Sequence, residues 1–330
     1  MSVHRDPTQQ PERPRTAFVL AGGGSRGAVQ VGMLTELAAR GIRADRVYGA
    51  SVGAVNGAAY AGDPTPEGME HVQQVWCSLS GDSVFPRSLV YGPWTFFQQR
   101  PAVHANTGLR HLLREGLSFE RLEHAAVPIE VVATSLRDGR ERWFTEGPAV
   151  EAVLASAAIP AIFPPVRIGN ELFIDGGVVD NVPISRAIGA GATRLYVLLC
   201  GPLHYRPRPA RRPVEAVLTG FFVAIQARFA RELAALPPGV EVTVFSGGGD
   251  PGADYRDFST TSELIAAGRA EAAAVLDGGD GAAAHGGAAA HDGAAAHGGA
   301  RSTLPAVATS QRKRRSRARR SQPAGGMAAT

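Results

Sequence analysis

The chain has 330 residues, 34 of them basic and 30 acidic, for a formal charge of +4. Its composition, 44% hydrophobic and 19% charged, is that of a folded globular protein and excludes an intrinsically disordered chain. Two cysteines, Cys77 and Cys200, are too few for a disulfide framework, and no apolar run reaches the ~18 residues that a membrane-spanning helix needs.

The positive charge is unevenly placed. Residues 301–330 carry eight basic side chains and no acid, which leaves 26 basic against 30 acidic residues in 1–300. The isoelectric point of about 9.4 is therefore a property of the tail, and the body is mildly acidic. Residues 1–15 read as a polar, proline-bearing arm, with charges where a signal peptide would carry its apolar core. These features predict a cytoplasmic protein, with peripheral membrane contact as a further expectation.

In chain order, an apolar run at 16–21 ends in glycines and predicts a strand, and helical spacing follows over 28–40. A strand at 46–50 leads into a small-residue helix at 52–61. Residues 63–106 fit this alternation least. They hold Trp76, Phe85, Tyr91, Trp94, Phe96 and Phe97, interrupted by Pro86 and Pro93. They read either as a satellite packing cluster or as a lid offering aromatic surface to an apolar substrate. Turn signals at Asp138-Gly139 and Gly169-Asn170 predict hairpins joining 129–135 to 140–145 and 166–168 to 171–174. A helix at 183–189, a strand at 194–200, a long helix at 213–236, a strand at 241–246 and a helix at 261–276 complete the pattern. Alternating strand and helix predicts one α/β domain over 16–277, with a mostly parallel central sheet flanked by helices. Beyond it, the Gly/Ala/His segment 278–300 and the Arg-rich end lack large apolar residues. Residues 278–330 therefore read as a flexible linker and a solvated, disordered tail, whose basic run offers contact to anionic lipid, nucleic acid or an import receptor.

The first chemical candidate is Gly22-Gly23-Gly24-Ser25-Arg26-Gly27, between a strand and a helix. As text it fits a dinucleotide-binding turn, but that use needs an acid at the end of the second strand, and Asp45 lies before that strand. What remains is a set of backbone N–H groups at a helix N-terminus, suited to an anion such as the oxyanion of an acyl intermediate. The second candidate, Gly49-Ala50-Ser51-Val52-Gly53, has the strand–turn–helix setting of a nucleophile elbow. A histidine triad stays open, but His71, His104, His111, His124, His204 and the three linker histidines, His285, His291 and His297, stand in no catalytic context. The third candidate, Asp175-Gly176-Gly177, puts an acid at the end of a strand, and in isolation it would be only a turn.

Together the three blocks resemble the patatin-like acyl hydrolases. The resemblance runs over roughly 16–276 and includes Ala155-Ser156-Ala157-Ala158-Ile159-Pro160, the strand Val131-Val132-Ala133-Thr134-Ser135 and the closing segment Glu263-Leu264-Ile265-Ala266-Ala267-Gly268. It implies a Ser–Asp dyad in an α/β fold, without histidine, cofactor or metal. Carried over by position, Ser51 is the nucleophile and Asp175 its partner. Gly22, Gly23 and Gly24 form the oxyanion loop, with Arg26 ordering it or adding positive potential. Gly49 and Gly53 frame the elbow, and Gly176 and Gly177 the acid loop. The expected substrates are phospholipids, lysophospholipids or related lipid esters at a membrane surface. The alternative is a catalytically weak lipid-binding or regulatory protein tethered to anionic surfaces by its tail. Nothing in the chain indicates an oligomeric state.

Overall fold

The computed structural model describes residues 15–86, 102–203, 213–247, 255–278 and 283–285. The first strand, β1 (Thr16–Leu20), alternates its side chains between two cores: Phe18 and Leu20 enter one, Ala17 and Val19 the other. Burial on both faces is what a parallel strand covered by helices requires. The remaining strands are β2 (Arg46–Ala50), β3 (Ile129–Ser135), β4 (Glu141–Phe144), β5 (Val166–Ile168), β6 (Glu171–Asp175), β7 (Arg194–Leu198), β8 (Glu241–Phe245) and β9 (Ala283–His285). They form one sheet in the order β5-β6-β3-β2-β1-β7-β8-β9, with β4 branching from β3. The central five, β3-β2-β1-β7-β8, are parallel, and the pairs at the periphery are antiparallel. The α/β architecture with a parallel centre is the one read from the sequence.

The helices are α1 (Ala28–Ala39), α2 (Val52–Gly62), α3 (Pro66–Ser78), α4 (Gly81–Val84), α5 (Thr107–Gly116), α6 (Ala149–Ser156), α7 (Gly177–Asp180), α8 (Ile184–Gly189), α9 (Pro213–Ala234) and α10 (Thr261–Leu276). α1 is buried around most of its circumference, as a helix covered on several sides must be. Its Gly32 lies against the Ile265 carbonyl, and Gly268 of α10 lies against the Val29 carbonyl.

The described part of 63–106 carries two helices, α3 and α4. Thr65 caps α3 by accepting the Gly68 N–H at 3.1 Å, with Pro66 in the first turn. Trp76 is buried, and Phe85 stacks on Phe163 with ring centroids 5.1 Å apart. One expectation changes: residues 283–285, expected in the linker, instead pair antiparallel with β8. The open edge of β8 offers unpaired backbone groups, and a segment of small residues can approach it closely. Tyr91, Trp94, Phe96, Phe97, His204, the rest of the Gly/Ala/His segment and the Arg-rich end lie outside the described residues. Among the described residues, no helix is long and apolar enough to cross a membrane.

Candidate active site

The carboxyl ends of β1, β2 and β3 converge at the point where the chain order reverses, with β2 on one side of β1 and β7 on the other. Such crevices are where open α/β sheets bind ligands. After β1, the Ala21 N–H donates to the Leu198 carbonyl at 3.0 Å, and the glycines follow tightly over β7. A side chain at Gly23 would place Cβ 2.2 Å from Cys200 Cβ. The chain then forms a 3-10 turn, Gly24–Gly27, that opens α1.

Ser51 sits between β2 and α2 with φ 54 and ψ −126. This left-handed conformation costs a serine ~1–3 kcal/mol and must be held by its surroundings. The Ser51 N–H donates to Ser156 Oγ at 2.9 Å. Two glycines let α2 start directly against the sheet: Cβ at Gly53 would lie 2.2 Å from the Leu20 carbonyl oxygen, and at Gly49 2.7 Å from Ala54 Cα. The serine is 5% exposed and lines a cavity.

Asp175 ends β6. Its N–H donates to the Ala158 carbonyl at 2.9 Å and its carbonyl accepts from Thr134 Oγ1 at 2.8 Å. Oδ1 accepts the Gly177 N–H at 2.7 Å, while Oδ2 is buried and has no hydrogen bond within the fold. Burial raises the carboxyl's pKa to about 7, even though the Ser51 hydroxyl and the Gly177 N–H both pull it down. Ser51 therefore lies beside the carboxyl without completing a bond to Oδ2. The Gly176 N–H donates to the Ser156 carbonyl at 3.0 Å, so Ser156 anchors both the serine turn and the acid loop. Gly176 is pressed against the Val132 carbonyl and Gly177 against Asn181 Oδ1, where side chains would clash.

The structure thus brings Ser51, Asp175 and the glycine loop together, but Gly22 needs a correction. Its N–H is directed at the Asn181 carbonyl, at 3.3 Å, and its own carbonyl faces Asn181 Nδ2 at 3.4 Å. Gly22 is a spacer: its Cβ would lie 2.9 Å from Ser51 Cβ. The N–H groups of Gly23 and Gly24 have no acceptor among the described residues. Arg26 turns back on the loop, its Nε donating to the Gly23 carbonyl at 3.3 Å and its guanidinium lying 5.1 Å over the Phe222 ring.

Sequence reasoning missed Ser156 and Asn181 as site residues, although both stand in or beside blocks that carry the family resemblance. It also missed a buried network behind the loop. Gln30 donates to the carbonyls of Ala21 and Leu198, Asn56 donates to Gln30 and the Gly27 carbonyl, and Trp76 donates to Asn56 at 3.0 Å. Among the described residues no histidine bonds to Ser51. His104 instead meets the Tyr255 hydroxyl at 3.0 Å. Asp45 is spent at the opposite end of the sheet, accepting the Thr16 N–H at 2.9 Å, where it cannot serve a nucleotide ribose.

From Ser51 a mainly apolar cavity of about 100 Å³ extends among α2, α3 and α5. Phe85, Ile159, Phe163 and Phe258 also line it.

A family model for patatin-like phospholipases matches residues 18–188, just over half the chain, including the glycine loop, Ser51 and Asp175. The chain belongs to the patatin-like phospholipase family. An uncharacterized NTE family protein of Mycobacterium tuberculosis is 30% identical over 184 residues, 54% of this chain and 47% of that protein. The lysophospholipase nte1 of Aspergillus terreus is 28% identical over 191 residues, 56% of this chain and 12% of its own. Patatin-like phospholipase domain-containing protein 7 of Rattus norvegicus is 28% identical over 178 residues, 53% of this chain and 13% of its own. The alignments with the patatin-like relatives thus span about half of the mycobacterial protein and a small part of the other two.

Proposed function

We propose that this patatin-like chain is a serine hydrolase of lipid acyl esters, with Ser51 as nucleophile and Asp175 as its only base. The observation that carries this reading is a serine held at φ 54 beside a buried carboxyl, at the end of an apolar cavity. The family match and the lysophospholipase among the relatives support it.

The chemistry follows from the charges. Ser51 Oγ attacks the acyl carbonyl carbon as its proton passes to Asp175. A carboxylate of ordinary pKa is too weak a base for this step, and burial brings Asp175 close to the working pH. The negative charge that develops on the carbonyl oxygen falls to the free N–H groups of Gly23 and Gly24 at the start of the turn into α1, a preorganised donor pair. Collapse of the intermediate breaks the ester C–O bond, and Asp175 returns the proton to the departing alcohol. Water, deprotonated by the same carboxylate, then attacks the Ser51 acyl ester; the Oγ–acyl bond breaks, Asp175 returns the proton to Ser51 Oγ, and the fatty acid is released. An alcohol leaving group asks less of a lone carboxyl than an amine would, which favours esters over amides.

The test is fatty-acid release from a monoacyl phosphatidylcholine by the purified full chain. Ser51→Ala and Asp175→Asn each lower the rate at least ~10³-fold, the scale expected for members of a catalytic unit. A fluorophosphonate probe labels the wild type at Ser51 and leaves Ser51→Ala unlabelled. Undiminished turnover in Ser51→Ala overturns the mechanism. Absence of both turnover and labelling in the wild type would leave a lipid-binding protein.

A further inference from the structure

The cavity runs from Ser51, which is buried, to residues that are exposed. Three helices line it with residues at helical spacing. On α2 these are Val52, Val55, Asn56 and Ala59, one face of the helix running away from Ser51. The seven steps from Val52 to Ala59, at 1.5 Å each, make this wall ~10 Å long. α3 returns along the cavity and α5 runs outward again, so that Ser118 and Phe119, just past α5, pack on Gly62 at the end of α2. The far end is lined by His71 of α3 and Gly116 of α5, and both are exposed, whereas Ser51 is 5% exposed. A side chain at Gly116 would meet nothing within 4 Å, and this glycine is the last residue of a regular helix. Among the described residues, no Lys, Arg, Asp or Glu lines the cavity.

We infer that the cavity is a channel open at both ends and that Gly116 frames a distal port through which the free end of a long acyl chain leaves the protein. An extended chain advances ~1.2 Å per bond. About eight carbons therefore fill the distance from Ser51 to the port, and longer chains thread out between α3 and α5. The lining is mainly apolar and favours an aliphatic chain over a polar group. The substrate class is then a long-chain acyl ester without an upper length limit, and Gly116 is the residue that sets this specificity. A blind pocket would instead discriminate sharply near the length that it holds.

This inference rests on the acyl-hydrolase reading, and the experiment separates the two. kcat/KM is measured on p-nitrophenyl butyrate, octanoate, dodecanoate and palmitate with the full chain. The wild type is expected to show no fall from octanoate to palmitate. Gly116→Phe is expected to lower the dodecanoate-to-butyrate ratio at least tenfold, and Gly116→Ala, whose methyl cannot span the port, to shift it far less. An unchanged ratio in Gly116→Phe overturns the port. So does a tenfold drop beyond octanoate in the wild type, and so does an equal loss at every length, which would make the opening an entrance for the whole substrate. A second arm needs no turnover. Ser51→Ala protein is titrated with dodecanoic acid carrying a nitrobenzoxadiazole fluorophore at its ω-carbon, and Gly116→Phe in that background is expected to raise Kd at least tenfold. An unchanged Kd counts against the port. If no ester of any length is hydrolysed in a Ser51-dependent way, the hydrolase reading fails and the binding arm alone decides the port.

Discussion

Asp175 has its pKa pushed up to about 7 because burial removes the water that its carboxylate would need, and the Ser51 hydroxyl and Gly177 N–H restore only part of that loss. Two consequences follow from one shift. As the proposed base, Asp175 works only when ionised, so kcat/KM should rise with pH through about 7 and level off above it. A pH–rate profile that is flat between 5 and 9 would count against this role. For stability the sign is opposite. The folded state keeps a proton that the unfolded chain releases near pH 3.8, so stability falls as pH rises from about 4 to about 7 and then stays low. Asp175→Asn removes this term. Its Tm relative to wild type should therefore be higher at pH 8 than at pH 5, in a protein that has lost activity. Asp180, buried beside Arg228 at 3.2 Å and also pushed to about 7, keeps its own share of the slope in both proteins. The placement of Ser51 and Asp175 could be read from short local motifs, because the turns that present them are local. The tasks of Ser156, Asn181 and Gly22 could not, since their hydrogen bonds join residues 105 and 159 positions apart. Local sequence says nothing about which of three adjacent glycines will have its N–H occupied.

α1 and α10 meet backbone to backbone at Gly32 and Gly268, where an added Cβ would lie 2.0 Å from the carbonyl oxygens of Ile265 and Val29. Replacing a helical glycine by alanine normally gains up to ~1 kcal/mol from reduced backbone freedom in the unfolded chain. Here the obstacle is a carbonyl oxygen on a neighbouring helix, which cannot rotate away, and overpacking of this kind costs ~1–3 kcal/mol or more. Gly268→Ala should therefore lower stability in urea denaturation, against its helix propensity. A stabilised Gly268→Ala variant would mean that the two helices slide apart without loss. The closing helix α10 and the central α1 were legible from their apolar spacing. α3 and α5 were not, and the reason is physical. Each carries a narrow apolar stripe, Met69, Val72, Val75 and Trp76 on one and Leu109, Leu112 and Leu113 on the other. Both spend part of that stripe on a cavity instead of a core. The start of α3 was nevertheless written in Thr65-Pro66-Glu67, a cap, a first-turn proline and an acid at the N-terminus.

Over the whole chain, the parallel centre of the sheet followed from strands that alternate with helices, because each such crossover must return to the same sheet edge. The periphery obeys no such rule. β4, β5 and β6 were visible through their turn glycines, with Gly139 at φ 69 and Gly169 at φ 59. β9 has no apolar pattern of its own and exists only as a cover for β8. This sets the boundary at which the chain can be cut. A protein ending at residue 288 keeps β9, removes all eight basic residues of the Arg-rich end, and should retain the ester hydrolase activity of the full chain while binding anionic vesicles less tightly at low salt. A protein ending at residue 277 keeps the proposed catalytic residues but uncovers the β8 edge, a template for pairing with other chains. It should show higher-order species by size-exclusion chromatography under conditions where the longer truncation elutes cleanly. Equal behaviour of the two would mean that β9 adds nothing to the sheet, and loss of activity in the 288-residue protein would place functional residues beyond that point.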